Sequence, residues 1–500
     1  MQMFNYEEYE YLAPAVLAVI LTTISALLLT RPKQANNEPP LAVGLPFIGH
    51  GIKFISNFPG LVDEMRRKHG PIFTVINFGK RMHFITDYKS IRKIWAQPAF
   101  DFKEFAFKAE ANFSGIMTEQ DIKASGVGSA DLAKFAHRMQ GQDDLNALAR
   151  RFSEALEETV SNTPFLHCTE WTRMDLREFC GIIVFYAAGR SLFGSKWLEG
   201  VDAREAARQY AIFENDAPGI VGGLPKLFVR KGSIARDYIV RKVILPIVRD
   251  GCKDGHPYVS TYMSTLKRAH AGDEFADLKV ASRISGLLFG IMTNTMNLMF
   301  WSLARIQLAD ESVKTRLEEE IRTATEQYPS SYLECKRNMP LMNSVIIETF
   351  RLHADPNSFR IVEKDCVVSG LAGGKDLAFR KGDTVFLLST YEQLKDIEGN
   401  RDAFDGGRWL KHTSNHTTNK SLLSVPSDQV LAPFGGGKHL CPGRFFALLE
   451  MHLVVAFCFK HYEFKVESAL PDKIVELAAP INQPKSAMIV SLRYKGEHKK

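Results

Sequence analysis

The stretch Pro433-Phe-Gly-Gly-Gly-Lys-His-Leu-Cys441-Pro-Gly-Arg-Phe-Phe446 restricts the fold more than any other, because it sets one cysteine between a glycine-rich turn and an apolar run. Gly435, Gly436 and Gly437 permit positive φ and let the backbone come close to a flat ligand. Amide donors directed at the Cys441 sulfur favour the thiolate, the form that binds metal. Beyond it, Phe445 to Cys458 is apolar and predicts a buried helix that starts beside this candidate metal ligand. A buried structural cysteine after a loop is the bland alternative.

The other cysteines add no second metal centre. There are seven in all, Cys168, Cys180, Cys252, Cys335, Cys366, Cys441 and Cys458, widely spaced and without a Cys-x-x-Cys pair. An odd, scattered set argues against a zinc site or a disulfide framework and for a reducing compartment. The formal charge of +6 is small for 500 residues and is spread along the chain, so no nucleic-acid partner is expected. The length alone allows two or three domains, or one large core.

Five positions of the cysteine loop, Phe434, Gly437, His439, Cys441 and Gly443, match the pattern Phe-x-x-Gly-x-[Arg/His]-x-Cys-x-Gly. On these residues the chain resembles the cytochrome P-450 haem-thiolate family. Glu348-Thr-Phe-Arg351 matches the family's Glu-x-x-Arg, and Arg408 takes the place of its third buried-network member, although Gly406-Gly407 replace the usual Pro-Glu before it. The resemblance runs in order from residue 11 to about residue 495. It implies a mainly α fold with small β-sheets: a single P-450-like catalytic domain over 50–500 behind one N-terminal transmembrane helix. It also implies haem b with Cys441 as axial thiolate, a loop built on Phe434 and Gly437, and His439 and Arg360 as partners of the haem propionates. Arg138 is a further propionate candidate of uncertain register.

From Tyr11 to Thr30 twenty residues pass without a charge, about 30 Å of helix and enough to cross a bilayer core. The preceding residues 1–10 are acidic rather than basic, which separates the run from a cleaved signal. They are expected on the lumenal side, and Arg31 and Lys33 place the bulk of the chain in the cytosol. Residues 31–49 contain Pro39, Pro40 and Pro46 and read as a stiff hinge. In the family such an anchor and hinge belong to the endoplasmic reticulum.

Between 50 and 280 the sequence predicts a β-hairpin, Phe73 to Phe78 and Met82 to Thr86, and helices near 59–69, 89–97, 144–160, 173–192 and 201–214. Phe100 to Ile116 carries five phenylalanines and reads either as core or, by resemblance, as a loop over the substrate. The apolar segment Ile220 to Val229, flanked by Lys226, Arg230 and Lys231, suits a surface element dipping into a membrane or an ordinary buried connection.

Leu278 to Leu308 is apolar on every side and predicts a helix through the core. At its centre Thr293, Asn294, Thr295 and Asn297 need partners, from neighbouring carbonyls or from a wet pocket. Most of the family carry an acid followed by Thr here, which deliver protons to dioxygen. Thr293-Asn294 stands in their place, with no Asp or Glu nearby in sequence, and the segment resembles the branch of sterol 7α- and 12α-hydroxylases and prostacyclin synthase. Thr293 and Asn294 are therefore the catalytic candidates.

An electron-rich thiolate iron suits oxidation of unactivated C–H bonds. The expectation is a membrane-anchored monooxygenase that hydroxylates or oxidises a lipophilic polycyclic small molecule, a sterol, terpenoid or related secondary metabolite. It would use O2 and electrons from NADPH-cytochrome P-450 reductase, with cytochrome b5 open as a second donor. Two alternatives stand beside it: a haem-thiolate isomerase or dehydratase acting on a peroxide without reductase, and a non-catalytic haem- or sterol-binding membrane protein.

Overall fold

The computed structural model describes residues 35, 37–45, 48–128, 131, 141–355, 357–389, 391, 400, 402–413, 432–474 and 480–496. The span at 11–30 and Arg138 lie outside them. The chain divides into two compact units, Met1–Phe102 with Asn357–Glu392, and Lys103–Pro356 with Gln393–Lys500.

The first unit is built on a six-stranded sheet in the order Leu41–Ala42, Ile72–Asn77, Lys80–Ile85, Thr384–Leu387, Ser358–Val362 and Phe100–Asp101. The hairpin is there with a shifted turn. Phe78 and Gly79 both adopt positive φ, 49° and 76°, the twist a two-residue hairpin demands, so the second strand begins at Lys80. Across the pair Phe73 stands opposite Phe84 with rings 5.3 Å apart, and Phe84 stacks on Phe386 at 5.1 Å. Part of the proline-rich stretch joins this sheet: Leu41–Ala42, directly after Pro39 and Pro40, pairs parallel with Thr74 and Val75. Prolines are tolerated there because the strand is an edge.

The second unit is helical. The helix Ala276–Gln307 runs through it, packed against Leu176–Phe193, Pro340–His353 and Arg444–His461. Its fully buried residues include Leu288, Met292, Phe300 and Trp301. Tyr462–Val466, Ile489–Tyr494 and Thr172–Asp175 form a three-stranded antiparallel sheet beside this core. The five expected helices are Phe58–His69, Tyr88–Trp95, Gln142–Ser161, Leu176–Phe193 and Ala203–Val221. The aromatic stretch is not a loop: Phe100–Asp101 is a strand, and Lys103–Ser114, rich in Lys, Glu and Ala, takes the helix those residues favour.

Pro340–His353 carries the carboxylate on which the region before the cysteine loop is hung. Glu348 is wholly buried and accepts hydrogen bonds from Arg351 at 2.7 and 2.8 Å, Arg408 at 3.0 Å, the Trp409 indole at 2.9 Å and the Asp405 amide at 3.1 Å. Burial alone would raise this carboxyl, but Arg351, the Asp405 amide and Arg408 outweigh it and hold the group below its ordinary value. Replacing the usual Pro-Glu with Gly406-Gly407 thus leaves the ion network whole, and Trp409 adds a donor to it. Removing one partner of such a set leaves buried charge uncompensated. Glu348→Ala is expected to cost about 3–5 kcal/mol of stability, read as a lowered denaturant midpoint; an unchanged midpoint would mean the network is idle.

Candidate active site

The cysteine loop closes on itself before any ligand is considered. The Cys441 amide donates to the Phe434 carbonyl at 2.9 Å, that of Gly435 to Ala432 at 3.0 Å, and that of Leu440 to Gly437 at 3.1 Å, around a 3-10 turn over Gly437–His439. Gly435 and Gly437 hold φ of 71° and 65°, a region L side chains rarely adopt, so two of the three glycines are required by the turn itself. Phe434 packs edge-on against Phe350 at 5.2 Å, which ties the loop to the Glu348 helix. A Cβ added at Gly435 or at Gly443 would meet no atom within 4 Å, so the loop borders open space.

Cys441 sits just before the helix Arg444–His461. Burial pushes its thiol up, while hydrogen bonds from the Gly443 and Arg444 amides and the Arg444 charge pull it down. Arg444 also donates to the Cys441 carbonyl at 3.0 Å and lies over the Phe445 ring, fixing the backbone that carries the sulfur. A thiol poised this way becomes a thiolate when a cation takes up its charge. His439, half-buried, ends the 3-10 turn on the same loop.

The long helix offers a matching feature in the same unit. Among buried neighbours, Gly286, Phe289, Thr293 and Asn294 are only half-buried and Gly290 is exposed, a stripe that recurs every three to four residues. A Cβ at Gly290 would meet nothing within 4 Å. Exposure halfway along a core helix means a cavity. Asn294 makes no side-chain hydrogen bond among the described residues, so its amide is available to whatever fills that cavity, whereas the Thr293 hydroxyl is 2.8 Å from that of Tyr210. Phe113, Phe213 and Phe289, 4.9–5.9 Å apart, form an aromatic cluster that includes one residue of the stripe.

The other polar residues of the helix are satisfied without a ligand. Thr295 Oγ1 lies 3.1 Å from both the Ile291 carbonyl and a Glu450 carboxyl oxygen, its one proton serving either, and the contact joins the long helix to the cysteine helix. Asn297 bonds the Thr293 carbonyl at 2.9 Å and Glu214 at 3.0 Å. The absence of nearby acids holds only along the sequence: Glu214 and Glu450 reach this segment from other helices. Burial drives Glu450 well above the ordinary carboxyl range, and the Thr295 hydrogen bond offsets this only in part. Neither had a local signal: Glu450 is a lone carboxylate in an apolar stretch, and Glu214 is one of several charged residues on its helix.

Arg360 lies in the first unit, on the strand Ser358–Val362. It is buried, donates to the Phe359 carbonyl at 2.7 Å and covers the Phe102 ring, with no carboxylate ion pair among the described residues. Burial lowers its guanidinium to about 10. Such a cation calls for an anion.

A cysteine sulfur on a loop that borders open space and a core helix with an open stripe, both in the second unit, are features that a flat macrocycle with one protein ligand needs. Among the described residues no group of three or more His, Cys, Asp or Glu side chains could hold a bare metal ion instead. The family model for cytochrome P450 matches residues 236–490, just over half of the 500, and the chain belongs to that family.

The relatives narrow the class. Cytochrome P450 7A1 of Sus scrofa is 25% identical over 502 residues, covering 94% of this chain and 96% of that protein. The 7-alpha-hydroxycholest-4-en-3-one 12-alpha-hydroxylase of Oryctolagus cuniculus is 27% identical over 464 residues, covering 87% and 88%. A retinoic acid-bound cyanobacterial P450, CYP120A1, shares the fold with a TM-score of 0.65 at 18% identity, over 92% of this chain and all of the other. The protein is a P450 monooxygenase whose cofactor is haem with thiolate ligation. Cys441→Ala is expected to abolish the thiolate-type absorption of the reduced carbon-monoxide complex while circular dichroism keeps its helical form; a persisting thiolate band would place the ligand elsewhere.

Proposed function

We propose that this enzyme hydroxylates a sterol or a similarly flat polycyclic molecule at an unactivated carbon. The observation that carries the reading is the open stripe Gly290, Thr293 and Asn294 in a core helix of the unit that also holds Cys441. A relative named for 12α-hydroxylation of a cholestenone, aligned over 87% of this chain, supports the substrate class.

The net reaction is RH + O2 + NADPH + H+ → ROH + H2O + NADP+, with electrons passed from a separate flavoprotein reductase. When bound, haem supplies the oxidising power that no side chain has. The chain's own residues do the rest. Cys441, held in place by the Phe434 carbonyl and Arg444, would hold the metal through its sulfur, and His439, on the same loop, would neutralise a propionate. Phe289, half-buried and backed by the buried Phe113 and Phe213, offers apolar surface to the substrate. Asn294 offers an amide to polar groups at the reacting carbon.

A haem-thiolate isomerase is the second reading, favoured by one observation: Asn294 occupies the position of the usual alcohol. With reductase, NADPH and a panel of sterols and terpenoids, a product heavier by one oxygen is expected by mass spectrometry. Turnover of a lipid peroxide without reductase, and no oxygenated product with it, would select the isomerase instead.

The residence we propose is the endoplasmic reticulum membrane, through the uncharged run Tyr11–Thr30 with the catalytic residues in the cytosol. A second contact is supported by the turn after Ala203–Val221, where Leu227 is 79% and Phe228 71% exposed beside the exposed Lys226, Arg230 and Lys231. That composition suits a segment with rings in lipid and charges at the headgroups. In full-length protein reconstituted in vesicles, a Phe228→Trp reporter should be quenched by brominated acyl chains; an unquenched indole would keep this turn in water.

A further inference from the structure

The helix Lys103–Ser114 buries only Ala111, Phe113 and Ser114 of its 12 residues. So little burial does not by itself hold a short helix in one place. Three polar ties do, each to a different helix of the same unit. Arg283, on the long helix with its side chain fully buried, donates to Glu110 at 2.6 Å, to the Ser125 hydroxyl at 2.9 Å and to the Val127 carbonyl at 2.5 Å. Arg236, buried on the helix Arg230–Tyr238, donates to the Phe113 carbonyl at 3.3 Å, an acceptor that a helix end leaves without an internal partner. Its other nitrogens donate to the adjacent Asp237 at 2.7 and 3.0 Å. Asn112 donates to the Val221 carbonyl, at the end of Ala203–Val221, at 3.1 Å.

Gly115 belongs to the same joint, since a Cβ there would collide with the Arg236 guanidinium. Among the three buried residues Phe113 has the large side chain. Its ring lies 3.8 Å from where a Cβ at Gly286 would stand and its centre 5.2 Å from that of Phe289, so it borders the open stripe at the Gly286 end, while Gly290 and Asn294 stay open. A buried ion pair contributes little net stability, and one use of such a pair is to select a single arrangement of the chain. Here the arrangement selected is the place of one ring at the end of the cavity.

We propose that Arg283 and Arg236 are positioning residues for the oxidation, a role that rests on the monooxygenase reading above: they clamp Lys103–Ser114 so that Phe113 keeps one place against the long helix, and that place decides which carbon of a rigid polycyclic substrate is oxidised. Neither guanidinium needs to touch the substrate, because each acts through the helix it holds. A fused-ring molecule has no torsions with which to absorb a displaced wall, and a misplacement of about 1 Å at the reacting centre costs on the order of a hundredfold in rate. Loosening the clamp therefore redistributes oxidation among neighbouring carbons instead of only slowing it.

The share of each regioisomer in the product does not depend on how much of the enzyme is folded, so a purely structural role of the arginines cannot change it. In the full-length, haem-loaded enzyme with reductase and NADPH, the probe is the sterol or terpenoid of the panel that the parent oxidises fastest. Arg283→Met and Arg236→Met should each send a severalfold larger share of product to other carbons. Arg283→Lys, which keeps the charge and loses the planar fork, should lie between parent and Arg283→Met. Phe113→Ala should shift the shares by itself, and Arg283→Met added to it should change them no further, because both act through one ring. The thiolate absorption reports which variants have folded; where Arg283→Met does not load haem, Glu110→Gln loosens the same tie from a partly exposed side chain. Shares unchanged from the parent in the arginine and Glu110 variants, or shifts that add in full to that of Phe113→Ala, overturn the clamp alone. A parent with intact thiolate absorption that yields no oxygenated product from any member of the panel overturns the monooxygenase reading and the clamp together.

Discussion

Everything chemical in this enzyme depends on two buried helices held at a distance that leaves room along one stripe. The hydrogen bond from Thr295 to Glu450 spans from the long helix to the cysteine helix, in a region where no water competes for either group. Burial there drives the Glu450 carboxyl well above its ordinary range and so favours the form without a charge to solvate. On the same helix Asn294, directly before Thr295, is half-buried, and Gly290, just over one turn earlier, borders open space that it leaves unfilled by any side chain of its own.

The cysteine loop illustrates a division of labour between conformation and charge. Glycines at 435 and 437 are needed because the backbone passes through the left-handed region twice within three residues. The sulfur is then placed by backbone hydrogen bonds alone, and Arg444 secures the carbonyl of the same residue. Behind the loop, Glu348 gathers donors from two arginines, an indole and an amide, so charge that would be ruinous singly becomes a rigid post.

Much of this was legible along the chain, and the reasons differ from element to element. The hairpin, the long helix and the helices flanking it follow from apolar periodicity, a local property that tertiary packing reinforces. Cys441, Phe434, Gly437 and His439 stand close together in sequence, so their grouping needed no fold to be seen. The aromatic stretch Phe100 to Ile116 was harder: five phenylalanines speak of burial but not of helix or loop, and the helix Lys103–Ser114 was decided by the residues between the rings.

The sequence by itself determined the family, the candidate metal ligand and the course of the core helix, because each is written in residues that lie within a turn or two of one another. Only the tertiary structure decided which polar groups of that helix are spoken for and which are available. Thr295 and Asn297 are engaged by Glu450 and Glu214, carboxylates 155 and 83 residues away, and Thr293 by Tyr210, while Asn294 is left open to the cavity. Hydrogen bonds in a dry interior are made with whatever the fold brings within 3 Å or so, and that proximity is a property of the packed chain rather than of its order.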